Sequence, residues 1–101
     1  MIVVSVTYTV NKEYANKNKE LIERFLHDFK QLEPASFLYT VFENPEGATF
    51  RHTSQYANKE IQQQILTLPS FVHFQEQRDK NLIAEPKIEL FHYVGASKEV
   101  L

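Results

Sequence analysis

Apolar and polar positions alternate over residues 2–10 (IVVSVTYTV), so Ile2, Val4, Val6, Tyr8 and Val10 share one side of an extended chain. Val3, Ser5, Thr7 and Thr9 fall on the other side, which is only half polar and suits a covered face better than bare water. The period then changes. After a polar turn over Asn11–Asn18, whose asparagines suit helix caps, Leu21, Ile22, Phe25, Leu26, Phe29 and Leu32 recur at helical spacing. Lys, Glu, Arg and Gln fill the outer face, and Pro34 ends the helix.

Two β-rich segments follow, Ser36–Glu43 and Thr49–Tyr56, joined by the bend-forming run Asn44-Pro45-Glu46-Gly47. Asn58 is placed to cap a second helix, with Glu60 near its positive end. Pro69 interrupts that helix, Ser70 is placed to cap a fresh start, and Phe71, Phe74, Arg78 and Leu82 then lie along one stripe. Pro86 precedes a last strand, Lys87–Val94. The order β-α-β-β-α-β predicts an α+β, ferredoxin-like fold: a four-stranded antiparallel sheet in the order 4-1-3-2, with helices on one face. One domain over residues 1–95 and a short tail over 96–101 account for the chain.

A chain of 101 residues buries only about 65% of the surface it exposes when unfolded, and oligomerisation is one remedy. Together with the half-polar sheet face, this predicts a homodimer with two sheets packed face to face about a two-fold axis. The surface needing cover includes Val3, Ser5, Thr7 and Thr9 on the first strand and Phe91 and Tyr93 on the last. There is no Cys, which excludes disulfides and thiolate metal sites and fits a reducing cytoplasm. A net charge of −2, with both signs well mixed, offers no basic block for nucleic acid. No apolar run approaches the ~20 residues that span a bilayer. Met1–Val6 has no basic region before it and is too short for a signal peptide. The expectation is a soluble cytoplasmic protein without membrane partners.

From Val3 to Val94 the chain resembles the antibiotic biosynthesis monooxygenase (ABM) domain family, ferredoxin-like proteins that form dimeric α+β barrels. The local match runs from Tyr56 to Phe71: an aromatic residue ending strand 3, an acidic cap region, a helix, and the break Leu68-Pro69-Ser70-Phe71. The family often writes that break Ser-Pro-x-Phe, so Phe71 matches and Leu68 does not. Members commonly carry Trp where Tyr56 stands, His where Ile65 stands, an acidic residue at Ser54 and Gly at Ala35. Haem-degrading relatives place an axial His where this chain has Gln75, and His73 is about 200° around the helix from that position. The resemblance therefore implies the fold, a homodimer and a pocket between sheet and helices, without haem or another cofactor. It also implies cofactor-independent oxygenation of a small quinol or phenol, though one fold hosts many functions.

Such oxygenation needs an apolar box, a base titrating near neutrality and hydrogen-bond donors for a phenolate. The candidates are His52, His92 and Tyr56 as catalytic groups, with Tyr8, Phe25, Phe50, Ser54, Phe71 and Phe74 lining a pocket for a small aromatic molecule. Phe50, His52, Ser54 and Tyr56 share a face of strand 3; His92 shares a face of strand 4 with Ile88, Leu90 and Val94. If both histidines face the helices they stand ~10 Å apart across the first strand, with Tyr8 between them. An ordinary His titrates near 6.5, which makes it the natural base. The bland readings are that both histidines are hydrogen-bonded structural residues, Tyr56 packs at a strand end and the Phe residues form core. His27 falls off the apolar stripe and His73 could flank the pocket. No His pair has metal-ligand spacing, no carboxylate dyad stands out, and two Gly cannot build a phosphate loop. A non-catalytic binding or stress-response dimer, and a His-dependent isomerase or decarboxylase, are the competing readings.

Overall fold

The structure, a computed structural model, describes residues 1–99 and 101. Strand β1 (Ile2–Thr9) leads through a single 3-10 turn at Lys12–Tyr14 into helix α1 (Ala15–Phe29). Strands β2 (Phe37–Glu43) and β3 (Thr49–Tyr56) follow, then helices α2 (Lys59–Leu66) and α3 (Pro69–Asp79) and strand β4 (Lys87–Phe91). The sheet is antiparallel with the order β2-β3-β1-β4, as the pattern predicts. Register sets the faces. Tyr8 stands opposite Phe50 and Val6 opposite His52, so the apolar side of β1 and the alternating side of β3 point the same way.

That side meets the helices. Leu21, Ile22, Phe25 and Phe29 of α1 and Phe71 and Phe74 of α3 are buried against Tyr8, Val10, Phe50 and Tyr56. Phe25 is the hub: its ring lies 4.9 Å from Phe74, 5.0 Å from Phe71 and 5.0 Å from Phe29, edge-on or tilted as aromatic quadrupoles prefer. The β2–β3 connection turns at Gly47, whose φ of +86° is a conformation that Gly adopts freely.

Several local expectations change. The polar turn ends at Tyr14 rather than Asn18, and none of its asparagines caps α1; Asn18 instead lies fully buried inside the helix. Ser70 does not cap α3. Pro69 occupies the first turn, where its missing N–H costs nothing, and Leu68 takes the cap position. Asn58 does cap α2, its Oδ1 accepting from the Ile61 N–H at 2.9 Å. β4 ends at Phe91, three residues early, and the helices leave its inward side open: Ile88 and Leu90 are 68% and 76% exposed.

Replacing Phe25 with Ala should lower the unfolding free energy by about 3–5 kcal/mol, a large part of the total for a domain this size. A urea titration followed by far-UV circular dichroism checks this; a loss below about 1 kcal/mol would mean the ring cluster does not hold α1 to the sheet.

Candidate functional site

Alternation along β3 carries His52 to the helix side, where it is 3% exposed amid aromatic rings. Its ring stacks on Phe74 at 5.4 Å and lies 6.1 Å from Phe25. An imidazole in such a place needs partners for both nitrogens. Nε2 is 2.8 Å from the Tyr8 hydroxyl and Nδ1 is 2.7 Å from the Tyr39 hydroxyl. Asn18 Nδ2 donates in turn to the Tyr8 oxygen at 2.9 Å.

Counting protons gives this chain a direction. A neutral imidazole has one donor and one acceptor. With the Tyr8 oxygen already accepting from Asn18, the buried Tyr8 proton is satisfied by donating to Nε2. Nδ1–H then donates to Tyr39, and the half-buried Tyr39 hydroxyl keeps its own proton for whatever lies beyond it.

Burial, and then the nearby Arg78 charge, lower the His52 pKa to about 3. His52 is therefore neutral at pH 7 with both nitrogens engaged, and the expectation of a base near 6.5 is corrected by its desolvation. Burial also raises the Tyr8, Tyr39 and Tyr56 hydroxyls above the ordinary phenol value. Arg78 pulls the other way on Tyr8 and Tyr39.

Beside this network is a partly enclosed cleft of about 190 Å³. A shallow depression on the open sheet face is larger, about 460 Å³, but holds none of the buried polar chemistry. The cleft is walled by Val4, Val6, Leu66, Phe71 and Ile88; its polar lining is Tyr39, His52, Ser54, Tyr56, Gln62, Gln75 and Arg78. Arg78 comes from the last turn of α3. Its guanidinium stacks 5.3 Å from the Tyr8 ring and 5.4 Å from Phe74, and exposed Asp79 accepts from its Nε and Nη2.

Of the candidate residues, His52, Tyr56, Ser54 and Phe71 come together at this cleft. Tyr8 does not line it but touches His52 and Arg78, which do, while Phe25, Phe50 and Phe74 are core side chains that do not line it. His92 lies past the end of β4, exposed and away from the lining, because the sheet edge extends beyond the helical layer. His27 and His73 are exposed. Among the described residues, no three His, Asp or Glu side chains gather as a metal site.

Tyr39, Gln62 and Arg78 have no site role in the sequence reading, and Asn18 enters it only as a candidate cap. Signals for three of them were present. Tyr39 alternates with Phe37 and Val41 on β2, and Asn18 falls at helical spacing from Ile22 and Phe25, a polar residue on an apolar stripe. Arg78 continues the stripe of Phe71 and Phe74.

No known protein family matches the sequence, and no curated protein sequence is similar to it. Solved structures are. The chain has the fold of the antibiotic biosynthesis monooxygenases. One crystal structure of that name superposes with a TM-score of 0.79 at 12% identity, covering 94% of this chain and all of the other. Proteins from Deinococcus radiodurans (TM-score 0.76, 19% identity, 98% of each chain) and Caulobacter crescentus (0.79, 18%, 93% of this chain and 90% of the other) carry the same name provisionally. At these identities the likeness concerns the ABM fold alone.

The His52 pKa gives a pH signature. The unfolded chain takes up a proton near pH 6.5 and the folded one only near 3, so stability falls as pH drops through that window, by up to about 1.4 kcal/mol per unit. Urea midpoints between pH 7 and 5, above the main carboxylate range, should show this slope in the natural protein and lose most of it in His52→Gln. Equal slopes would contradict the buried neutral imidazole.

Proposed function

We propose that the cleft binds a small phenol or hydroquinone and that the protein acts as a cofactor-independent monooxygenase of ABM type. One observation carries the reading: a partly enclosed cleft with apolar walls whose lining includes both Tyr39 and Arg78. A bound hydroquinone would be held away from water, its developing oxyanion stabilised by Arg78 and the Tyr39 O–H. The overall change balances as hydroquinone plus O2 giving hydroxyquinone plus water. His52 serves here as a positioning residue for Tyr39 rather than as the base, and Tyr56, Ser54 and Phe71 shape the wall.

The low basicity of His52 favours a second reading, a non-catalytic dimer that only binds its aromatic ligand. The same observation removes the support for a His-dependent isomerase or decarboxylase. Oxygen uptake with a panel of hydroquinones separates the two remaining readings. Turnover should occur with the natural protein and fall about 100-fold in Tyr39→Phe; absence of uptake together with tight aromatic binding would leave the binding reading.

A homodimer is part of the proposal. Phe42 and Phe91, on the sheet face opposite the helices, are 55% and 52% exposed, and burying such a side chain fully is worth about 1.5–3 kcal/mol. No helix among the described residues is long and apolar enough to cross a membrane. Sedimentation at micromolar concentration should give twice the 11.9 kDa chain mass, and Phe42→Lys should shift it towards one chain. A single-chain mass for the natural protein would defeat the dimer.

A further inference from the structure

The cleft contains one charge and no counter-charge: among its described lining residues only Arg78 is ionised at neutral pH, and none is Asp or Glu. The Arg78 side chain is 12% exposed and packs on the Tyr8 and Phe74 rings. Its one carboxylate partner, Asp79, uses a single oxygen on Nε and Nη2 and is itself 58% exposed, so water screens that pairing strongly. Nη1 makes no hydrogen bond to protein among the described residues, which leaves donors for something else.

A second observation points to the same ligand. With Asn18 donating to Tyr8 and Tyr8 to His52, the chain leaves its last hydroxyl, that of the cleft-lining Tyr39, with a proton to donate. The cleft therefore meets its ligand with a cation and an O–H donor, both suited to an oxyanion. A phenol of ordinary pKa near 10 reaches the cleft protonated and needs help from Arg78 and solvent to ionise, since both His52 nitrogens are already bonded. A carboxylic acid needs no such help, since it arrives ionised. At about 190 Å³ the space is below the ~300 Å³ where drug-sized pockets begin, which limits the apolar part to one ring.

We infer that the ligand is a single-ring aromatic carboxylate, with Arg78 meeting its charge, Tyr39 donating to it and the ring against Val4, Val6 and Phe71. This rests on the cleft being the ligand site proposed above, and adds a charged group to the phenol class named there.

Calorimetric titration of the full chain with benzoate and with its neutral isostere benzamide tests the inference without any oxygen chemistry. Benzoate should bind at least about tenfold more tightly at low salt. Arg78→Met, which keeps the stacked stem, should abolish the preference, and Arg78→Lys should retain part of it. Equal affinity for the two probes, or a preference that survives Arg78→Met, would overturn the assignment. Should Arg78→Met fail to fold by circular dichroism, the natural protein decides alone: the preference must exist and must shrink with added salt. The two proposals separate cleanly. Benzoate preference without oxygen uptake keeps this inference and removes the monooxygenase; hydroquinone turnover without benzoate preference does the reverse.

Discussion

An imidazole can occupy the centre of this aromatic core only because two tyrosine hydroxyls take both of its nitrogens. Left unpaired there, each polar atom would cost about 1–3 kcal/mol, a sizeable share of a small domain's stability. The requirement ties together elements far apart in sequence. Asn18 on α1, Tyr8 on β1, His52 on β3 and Tyr39 on β2 must all hold their places for one hydrogen-bonded chain to close. The aromatic rings around it do the converse, excluding the water that would otherwise let His52 protonate.

The same burial decides what chemistry the site can do. A histidine near a pocket suggests a proton acceptor, yet desolvation and the neighbouring guanidinium hold this one neutral far below physiological pH. Its work is directional. With Asn18 donating to Tyr8 and Tyr8 to its Nε2, it is left to donate to Tyr39, whose hydroxyl then keeps a proton on a residue that lines the cleft. Core and site are thus one network: the aromatic cluster that stabilises the fold also sets the polarity of the cleft.

Arg78 joins the two from the other side. Its stem and guanidinium pack on Tyr8 and Phe74, so it contributes to the core while holding a positive charge against the cleft. The open sheet edge is the structural counterpart. The helices cover β2, β3 and β1 and leave β4 bare on their side, so Ile88 can border the cleft while Leu90 faces solvent. The fold shared with the monooxygenase structures frames this arrangement, and the particular side chains give it its chemistry.

Much of the fold was legible because its signals are local. Period-two alternation in residues 2–10 and 49–56 set which side chains face the helices, and the 3.6-residue stripe of α1 named its buried face. Bend residues at 44–47 and the Asn58 cap marked boundaries for the same reason. His52, Ser54, Tyr56 and Phe71 reached the cleft as their strand or helix face required. His92 did not, since a strand's face says nothing of whether the helical layer extends over it. Asn18, Tyr39 and Arg78 acquired their parts only where elements cross, for hydrogen bonds and stacking depend on distances that no short window of sequence encodes. The amino-acid order alone therefore determined the elements and their inward faces. Only the packed structure decided the protonation state of His52 and the donor character of the site, because both arise from desolvation by residues remote along the chain.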